Sequence, residues 1–403
     1  MIRIEADQMI DGVGEVPRRP GRLAVEGERI VGMGGTVPPS GAARAGGSPR
    51  PPDVTLSLPG CTLLPGLIDF HSHVGIDTRR SDLAAQVQVP PAEALAAGIA
   101  RIQADLRAGV TTLRLCGDRH GADLVLRREV EEGRIVAPRL RAAGRAIRSP
   151  RCRGGAVASV LTDDPAEIAR AAASNIADGV DFVKLFVSDG AGDPAVEPTT
   201  CYYGEAEVAA AVRPAHAAGR PVAAHLVGGA GVAAAVGGGL DVIEHGWFLE
   251  EGDLDLIGRH DVLLTLTLGV LCGPHGHAFG ADPAQLTRLR ALGEAACATA
   301  RKVIARGLRY VLGTDAVHGC LADELAWVVA LGESPIRAIR AATGWPATAL
   351  GLGETLGVLA PGKVADVIAV EGDPLGEIGA MARVRLVVSR GRVVYMHQPG
   401  ERQ

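Results

Sequence analysis

The chain has 403 residues, enough for one large core with a satellite domain. Hydrophobic residues make up 47% of it and aromatics only 3%, which supplies small aliphatic packing but no stacking surface for bases. The net charge of −5, with no long Lys or Arg run, argues against a nucleic-acid partner.

The seven cysteines, Cys61, Cys116, Cys152, Cys201, Cys272, Cys297 and Cys320, form no C-x-x-C pair. That pattern fits a reduced, cytoplasmic protein better than a disulfide framework. The opening "MIRIEADQMIDG" carries charges where a signal peptide needs an apolar run. No stretch of about 18 charge-free apolar residues suggests a membrane span. The expectation is a soluble homo-oligomer with a small-molecule substrate and neither nucleic acid nor membrane as partner.

Short strands come first: "IRIEA", "RLAVEG", "ERIVGMG" and "VTLSLPG" fall within the first 60 residues. Among them lies a Gly/Pro-rich stretch, 34–53, expected as a mobile loop. From residue 67 short apolar runs alternate with Ala-rich helical segments. The strands are expected at 67–74, 111–118, 139–146, 181–188, 222–228, 241–247, 262–268 and 309–316. Helices are expected at 92–108, 121–133, 165–178, 205–218, 229–238, 253–259, 283–306, 321–331 and 335–351. Eight strands, each followed by a helix or helical loop, are the count for a (β/α)8 barrel. After the Pro361-Gly362 turn the tail is strand-like again, in "VADVIAVEG" and "VRLVVSRGRVVY". The fold expected is therefore α/β, a TIM barrel with a small flanking β-sandwich built from both chain ends. Residues 1–62 and 357–403 form the two parts of the sandwich, and 63–356 the barrel.

Chemistry in such barrels sits at the C-terminal ends of the strands. Strand one ends in His71-Ser72-His73, and the period of two puts both imidazoles on one face of an extended chain. Strand four carries Lys184, one of only three lysines, inside "DFVKLFVSDG". His225, His245 and Asp315 fall at the ends of strands five, six and eight. Taken singly, each has an ordinary reading: a hydrogen-bonded core histidine, an aspartate capping the next helix, a lysine snorkelling from the barrel mouth. Their joint placement favours a metal site, because imidazole and carboxylate suit Zn2+ and similar cations.

The motifs "LLPGLIDFHSHV", "DFVKLFVSDG", "VAAHLVGG", "DVIEHG", "VLGTDA" and "LGVLAPGKVADVIAVEGDPL" resemble the amidohydrolase superfamily over nearly the whole chain. Within it they are most similar to the imidazolonepropionase-related, prolidase-like (Xaa-Pro dipeptidase-like) branch. The resemblance implies two divalent ions, most simply Zn2+. His71, His73 and Asp315 would hold the more buried ion, and His225 and His245 the second. Lys184 would carry a CO2-derived carbamate bridging both. Only a neutral amine attacks CO2, and burial disfavours the charged form of an amine. Water between two such ions is acidified towards hydroxide at neutral pH. Asp315 then acts as general acid and base. The implied reaction is hydrolysis of an amide-type C–N bond in a dipeptide, N-acyl amino acid, carbamate or urea. A one-metal deaminase of cyclic amidines or imines, a lactone or phosphotriester hydrolase, and a barrel that has lost its chemistry are the alternatives.

Substrate contacts are less determined. The loop after strand three, "GRAIRSPRCRGG", departs from the Gly-rich, histidine-bearing stretch usual in the family. Its Arg148, Arg151 and Arg153 either bind a substrate carboxylate bidentately or form a solvated loop. Tyr202 and Tyr203 in "CYYG" either orient a carbonyl oxygen or pack the loop. His120 and His318 are further rim candidates, and Trp247 and Phe248 could wall a pocket.

Overall fold

A computed structural model of the chain describes residues 1–36, 54–80, 82–153, 157–189, 195–273 and 283–397, the side chains at 84, 120 and 283–286 excepted. Residues 37–53, the larger part of the stretch expected as a mobile loop, lie outside the described residues. The fold is a TIM barrel with a β-sandwich from the chain ends. The chain divides into two compact units: Met1–Ile68 with Asp105–Thr111 and Ser334–Gln403, and Asp69–Ala104 with Thr112–Glu333.

All eight barrel strands occur where the apolar runs stand. They are Leu67–Ser72, Val110–Leu115, Arg139–Ala142, Val183–Phe186, Val222–Gly228, Val242–Phe248, Leu263–Leu266 and Tyr310–Leu312. Strands four to eight pair in parallel and in sequence order. Strands one to three form a second set, with two and three parallel. Runs such as "VKLF" and "LLTL" are buried at every position, as parallel strands covered on both faces require. At the seam, the Asp315 amide donates to His71 O at 2.8 Å. A Cβ on Gly313 would lie 2.5 Å from His71 Cβ, so the approach of strand eight to strand one there needs a residue without a side chain.

Three elements differ from expectation. Strand three stops at Ala142 and resumes as Ile147–Arg148, which pairs with strand four; between them Gly144 sits at φ +67°. Strand eight ends at Leu312, and beyond it Asp315 and Ala316 take left-handed conformations, at φ +50° and +65°. The helix expected over 335–351 is two helices, Pro335–Ala341 and Gly344–Ala349. Thr343 leaves helical geometry between them, and Gly344 and Pro346 both disfavour continuing the first.

The chain ends form one seven-stranded sheet in which Ile2–Met9 lies parallel to Val54–Pro65 and the other pairs are antiparallel. The sheet returns upon itself. Edge strand Arg29–Met33 meets the segment leading into Val367–Glu371, with Ile30 N donating to Lys363 O and Gly362 N to Ile30 O. The enclosed core holds Ile4, Leu23, Ile30, Leu63, Val367 and Leu386.

Candidate metal centre

Six polar side chains converge at the strand ends of the barrel. His71 and His73 stand edge-on, their ring centres 5.3 Å apart. Asp315 Oδ1 lies 3.2 Å from His71 Nε2 and 3.6 Å from His73 Nε2, and one donor atom from each of the three lies within 4.8 Å of the others. His245 packs 4.8 Å from His71 and 4.5 Å from His225, centre to centre. Lys184 is fully buried, its Nζ 5.4 Å from the Phe186 ring centre.

Strand geometry alone would not deliver all of these donors. Glu244 and His245 are consecutive, so a regular strand would turn them to opposite faces. His245 instead adopts φ +77° and Gly246 φ +56°. Both Glu244 and His245 therefore reach His71. A left-handed backbone at a non-glycine residue costs about 1–3 kcal/mol, and three such residues, His245, Asp315 and Ala316, lie at this one site.

Second partners fix the rings. His73 Nδ1 donates to Gly117 O at 2.7 Å, which leaves its Nε2 lone pair free. His245 Nδ1 meets Thr267 Oγ1 at 2.8 Å. Buried carboxylates then hold the backbone around them. Asp69 accepts from the His71 and Thr314 amides and from the Thr314 hydroxyl. Asp118 accepts from the amides of Val74 and Gly75, just past His73. Glu324 accepts from those of Leu268 and Gly269, just past Thr267.

Electrostatics set the protonation states. Burial, and then the charge of His71, push the His73 imidazole down to about 3. Burial and Lys184 do the same to His225, also to about 3, and burial with His225 holds His245 well below its ordinary value. Burial would raise Asp315, but its hydrogen bond to His71 and the positive charge of that ring outweigh burial and hold it below the usual carboxylate range. Burial also lowers His71, yet Cys116, Glu244 and Asp315 outweigh it and keep that ring well above its ordinary value. Three neutral imidazoles beside an ionised carboxylate is the state in which such groups bind cations.

The donor set fits divalent metal by a further observation. Lys184 Nζ and His225 Nε2 are buried with no hydrogen-bond partner among the described residues. An unsatisfied buried polar atom costs on the order of 1–3 kcal/mol, so two at one cluster call for a ligand.

Residues 62–394 match the model of the amidohydrolase family. The chain belongs to that family. It is 27% identical to ochratoxinase of Aspergillus niger over 93% of this chain and 82% of that one. A Xaa-Pro dipeptidase with bound methionine in the active site superposes with a TM-score of 0.86 at 26% identity, covering 98% of this chain and all of the other. A prolidase complexed with N-methylphosphonate-L-proline gives 0.86 at 26% over the same shares. As an amidohydrolase of this kind the protein is a hydrolase of amide-type carbon–nitrogen bonds. No helix among the described residues is long and apolar enough to cross a membrane.

The remaining candidate residues of this amidohydrolase take other partners. Tyr203 is buried and its hydroxyl donates to Thr162 O at 2.7 Å. The Tyr202 hydroxyl donates to Asp189 at 2.9 Å, and the Arg153 amide donates to the same oxygen. Arg151 pairs with Asp163 at 3.1 Å and lies over the Tyr202 ring. Arg148 donates through Nη1 to Cys152 O, while its Nε is buried without a hydrogen-bond partner. His318 is buried, with Nε2 3.0 Å from Ile76 O. The side chain of His120 lies outside the described residues. Trp247 packs on His245 at 4.7 Å and donates to Thr267 O; Phe248 lies beside it.

Sequence reasoning missed Glu244 and Arg114. Glu244 accepts from His71 Nδ1 at 2.8 Å and from Arg114 Nη1 at 2.7 Å, and both residues are buried. The signal that singled out Lys184, a charge inside an apolar strand, also marks "TTLRLCGD" and "DVIEHG".

Proposed function

We propose that the protein is a binuclear metal-dependent amidohydrolase that cuts the amide-type bond of a small substrate, with a dipeptide or N-acyl amino acid preferred over a carbamate or urea. The observation that carries this reading is the pair of buried, unpartnered nitrogens, Lys184 Nζ and His225 Nε2, beside the His71–His73–Asp315 cluster. His71, His73 and Asp315 would hold one ion, and His225 and His245 the other. Lys184 would bridge them after its amine adds to CO2, forming an N–C bond and releasing a proton. That converts a costly buried amine into an anionic ligand. Divalent ions so held, most simply Zn2+, would polarise the scissile carbonyl and acidify water.

The chain's own groups do the rest. Asp315, ionised and partly buried, takes a proton from the attacking water and returns it to the leaving nitrogen. Phe186, stacked on His225, and Trp247, on His245, keep the donors dry on the apolar side. Arg148 stands in register with Phe186, two residues along from Lys184. Its unpartnered Nε makes it the candidate for a substrate carboxylate. A dipeptidase holding methionine and a prolidase holding a proline phosphonate, both similar to this chain, favour a leaving group of the amino-acid type.

The test is a hydrolysis screen of zinc-loaded protein over Xaa-Pro dipeptides, N-acyl amino acids, carbamates, ureas and lactones. Turnover of substrates that release a free amino acid is expected. Turnover of lactones alone would overturn the assignment.

A further inference from the structure

Behind His71, on the side away from Asp315, lies a second cluster with metal-type donors. His71, Cys116 and Glu244 each offer a ligand atom within 4.8 Å of the others. A cation already fills this place. The Arg114 guanidinium donates to Glu244 Oε1 at 2.7 Å, to Phe70 O at 2.9 Å and to Cys116 Sγ at 3.2 Å. It lies 3.7 Å over the Phe182 ring centre and 4.5 Å from that of Phe70. Arg114 is 2% exposed and Glu244 not at all.

The geometry points to Glu244, held by Arg114, as the positioning residue that makes Nε2 the working nitrogen of His71, while Arg114 keeps other cations off the Nδ1 face. This rests on the metal reading of the site. Carboxylate oxygens of an ionised Glu244 can only accept, so His71 keeps a proton on Nδ1, and Nε2, the nitrogen 3.2 Å from Asp315, is the one left to give up its proton to an incoming ion. A ring free to choose its tautomer would spend part of its population with a proton where the ion belongs. The second oxygen of Glu244 is occupied by Arg114, which stops the carboxylate from rotating or drawing in a cation of its own.

Removing Glu244 alone leaves a buried guanidinium unpaired, which endangers folding. The test therefore uses two charge-neutral doubles of similar volume. Arg114→Met with Glu244→Gln keeps an amide oxygen that can accept from His71 Nδ1. Arg114→Met with Glu244→Met keeps none. Zn2+ affinity is measured by chelator competition, with the melting temperature of each metal-free protein as a check on folding.

The Gln double is expected to hold Zn2+ about tenfold or more tighter than the Met double, in line with the roughly 10–100-fold that such outer partners contribute. Equal affinity in two folded doubles overturns the inference and leaves the metal reading intact. Wild-type protein that takes up no Zn2+ overturns both. A variant-free check is the imidazole 15N spectrum of zinc-loaded wild-type protein. A His71 proton on Nδ1 supports the assignment, and one on Nε2 overturns it.

Discussion

The chain-end sheet and the barrel interior bury their side chains by opposite rules. The sheet encloses Ile4, Leu23, Leu63 and Leu386, aliphatic residues whose burial stabilises directly. The barrel interior encloses Asp69, Arg114, Lys184 and Glu244, each at 2% exposure or less. Charged groups in that position cost stability unless each finds a partner. In the sheet, packing is its own purpose; in the barrel, it serves to hold polar groups where water would otherwise screen them. The two regions should therefore fail differently when altered.

The largest effect belongs to Lys184→Ala. It is expected to lose bound metal and about a thousandfold or more in kcat together, with partial rescue by a small carboxylic acid that replaces the bridge. Wild-type turnover in that variant would remove the lysine from the mechanism. Asp315→Asn is expected to cut kcat by about 100–10,000-fold while protein-bound zinc, measured by elemental analysis, largely persists. Near-normal kcat there would exclude Asp315 as the proton carrier.

The next two changes probe stability. Arg114→Ala takes the guanidinium from Glu244, leaves a buried carboxylate with His71 alone, and should cost about 3–5 kcal/mol in denaturant unfolding. Leu386→Ala, in the sheet, should cost about 2–5 kcal/mol by leaving a cavity, with kcat per folded molecule unchanged. A Leu386→Ala protein that stayed fully stable but lost activity would erase the distinction between the regions.

The smallest effect is a pH dependence. Burial, and then the charge of Asp123, push Asp118 up to about 8. Its folded value lies above the unfolded one, so its contribution to stability is complete below about pH 4 and is lost as pH rises towards 8. Metal-free wild-type protein should lose roughly 1–3 kcal/mol more than Asp118→Asn across that window, because Asp118 and Asp123 titrate as an interacting pair. Parallel stability curves for the two proteins would contradict this.

The six residues of the candidate centre stood out because strand ends can be located from apolar runs, and polar residues stand out against them. Glu244 did not, because strict alternation places it opposite His245; the left-handed turn at His245 overrides that rule. No pattern in "DVIEHG" announces such a turn. The break at Thr343 was hidden for a different reason. The Ala-rich run through 335–351 has helical periodicity on both sides of it, and only Gly344 and Pro346 signal the interruption. Tyr203 looked like a mouth residue from its place after strand four, but its hydroxyl has a backbone partner at Thr162. Proximity in sequence to a strand end does not say which way a loop side chain turns.

The seam between the first and last barrel strands bears on how the protein matures. His71 and Asp315 lie on either side of it, joined by a hydrogen bond from the Asp315 amide to His71 O and brought close by the missing side chain of Gly313. A chain still emerging from the ribosome, or one arrested before strand eight docks, has only part of the proposed cage. Under the proposed metal reading, ion capture becomes the closing act of biogenesis. The zinc content of a preparation should count the molecules that completed the circle.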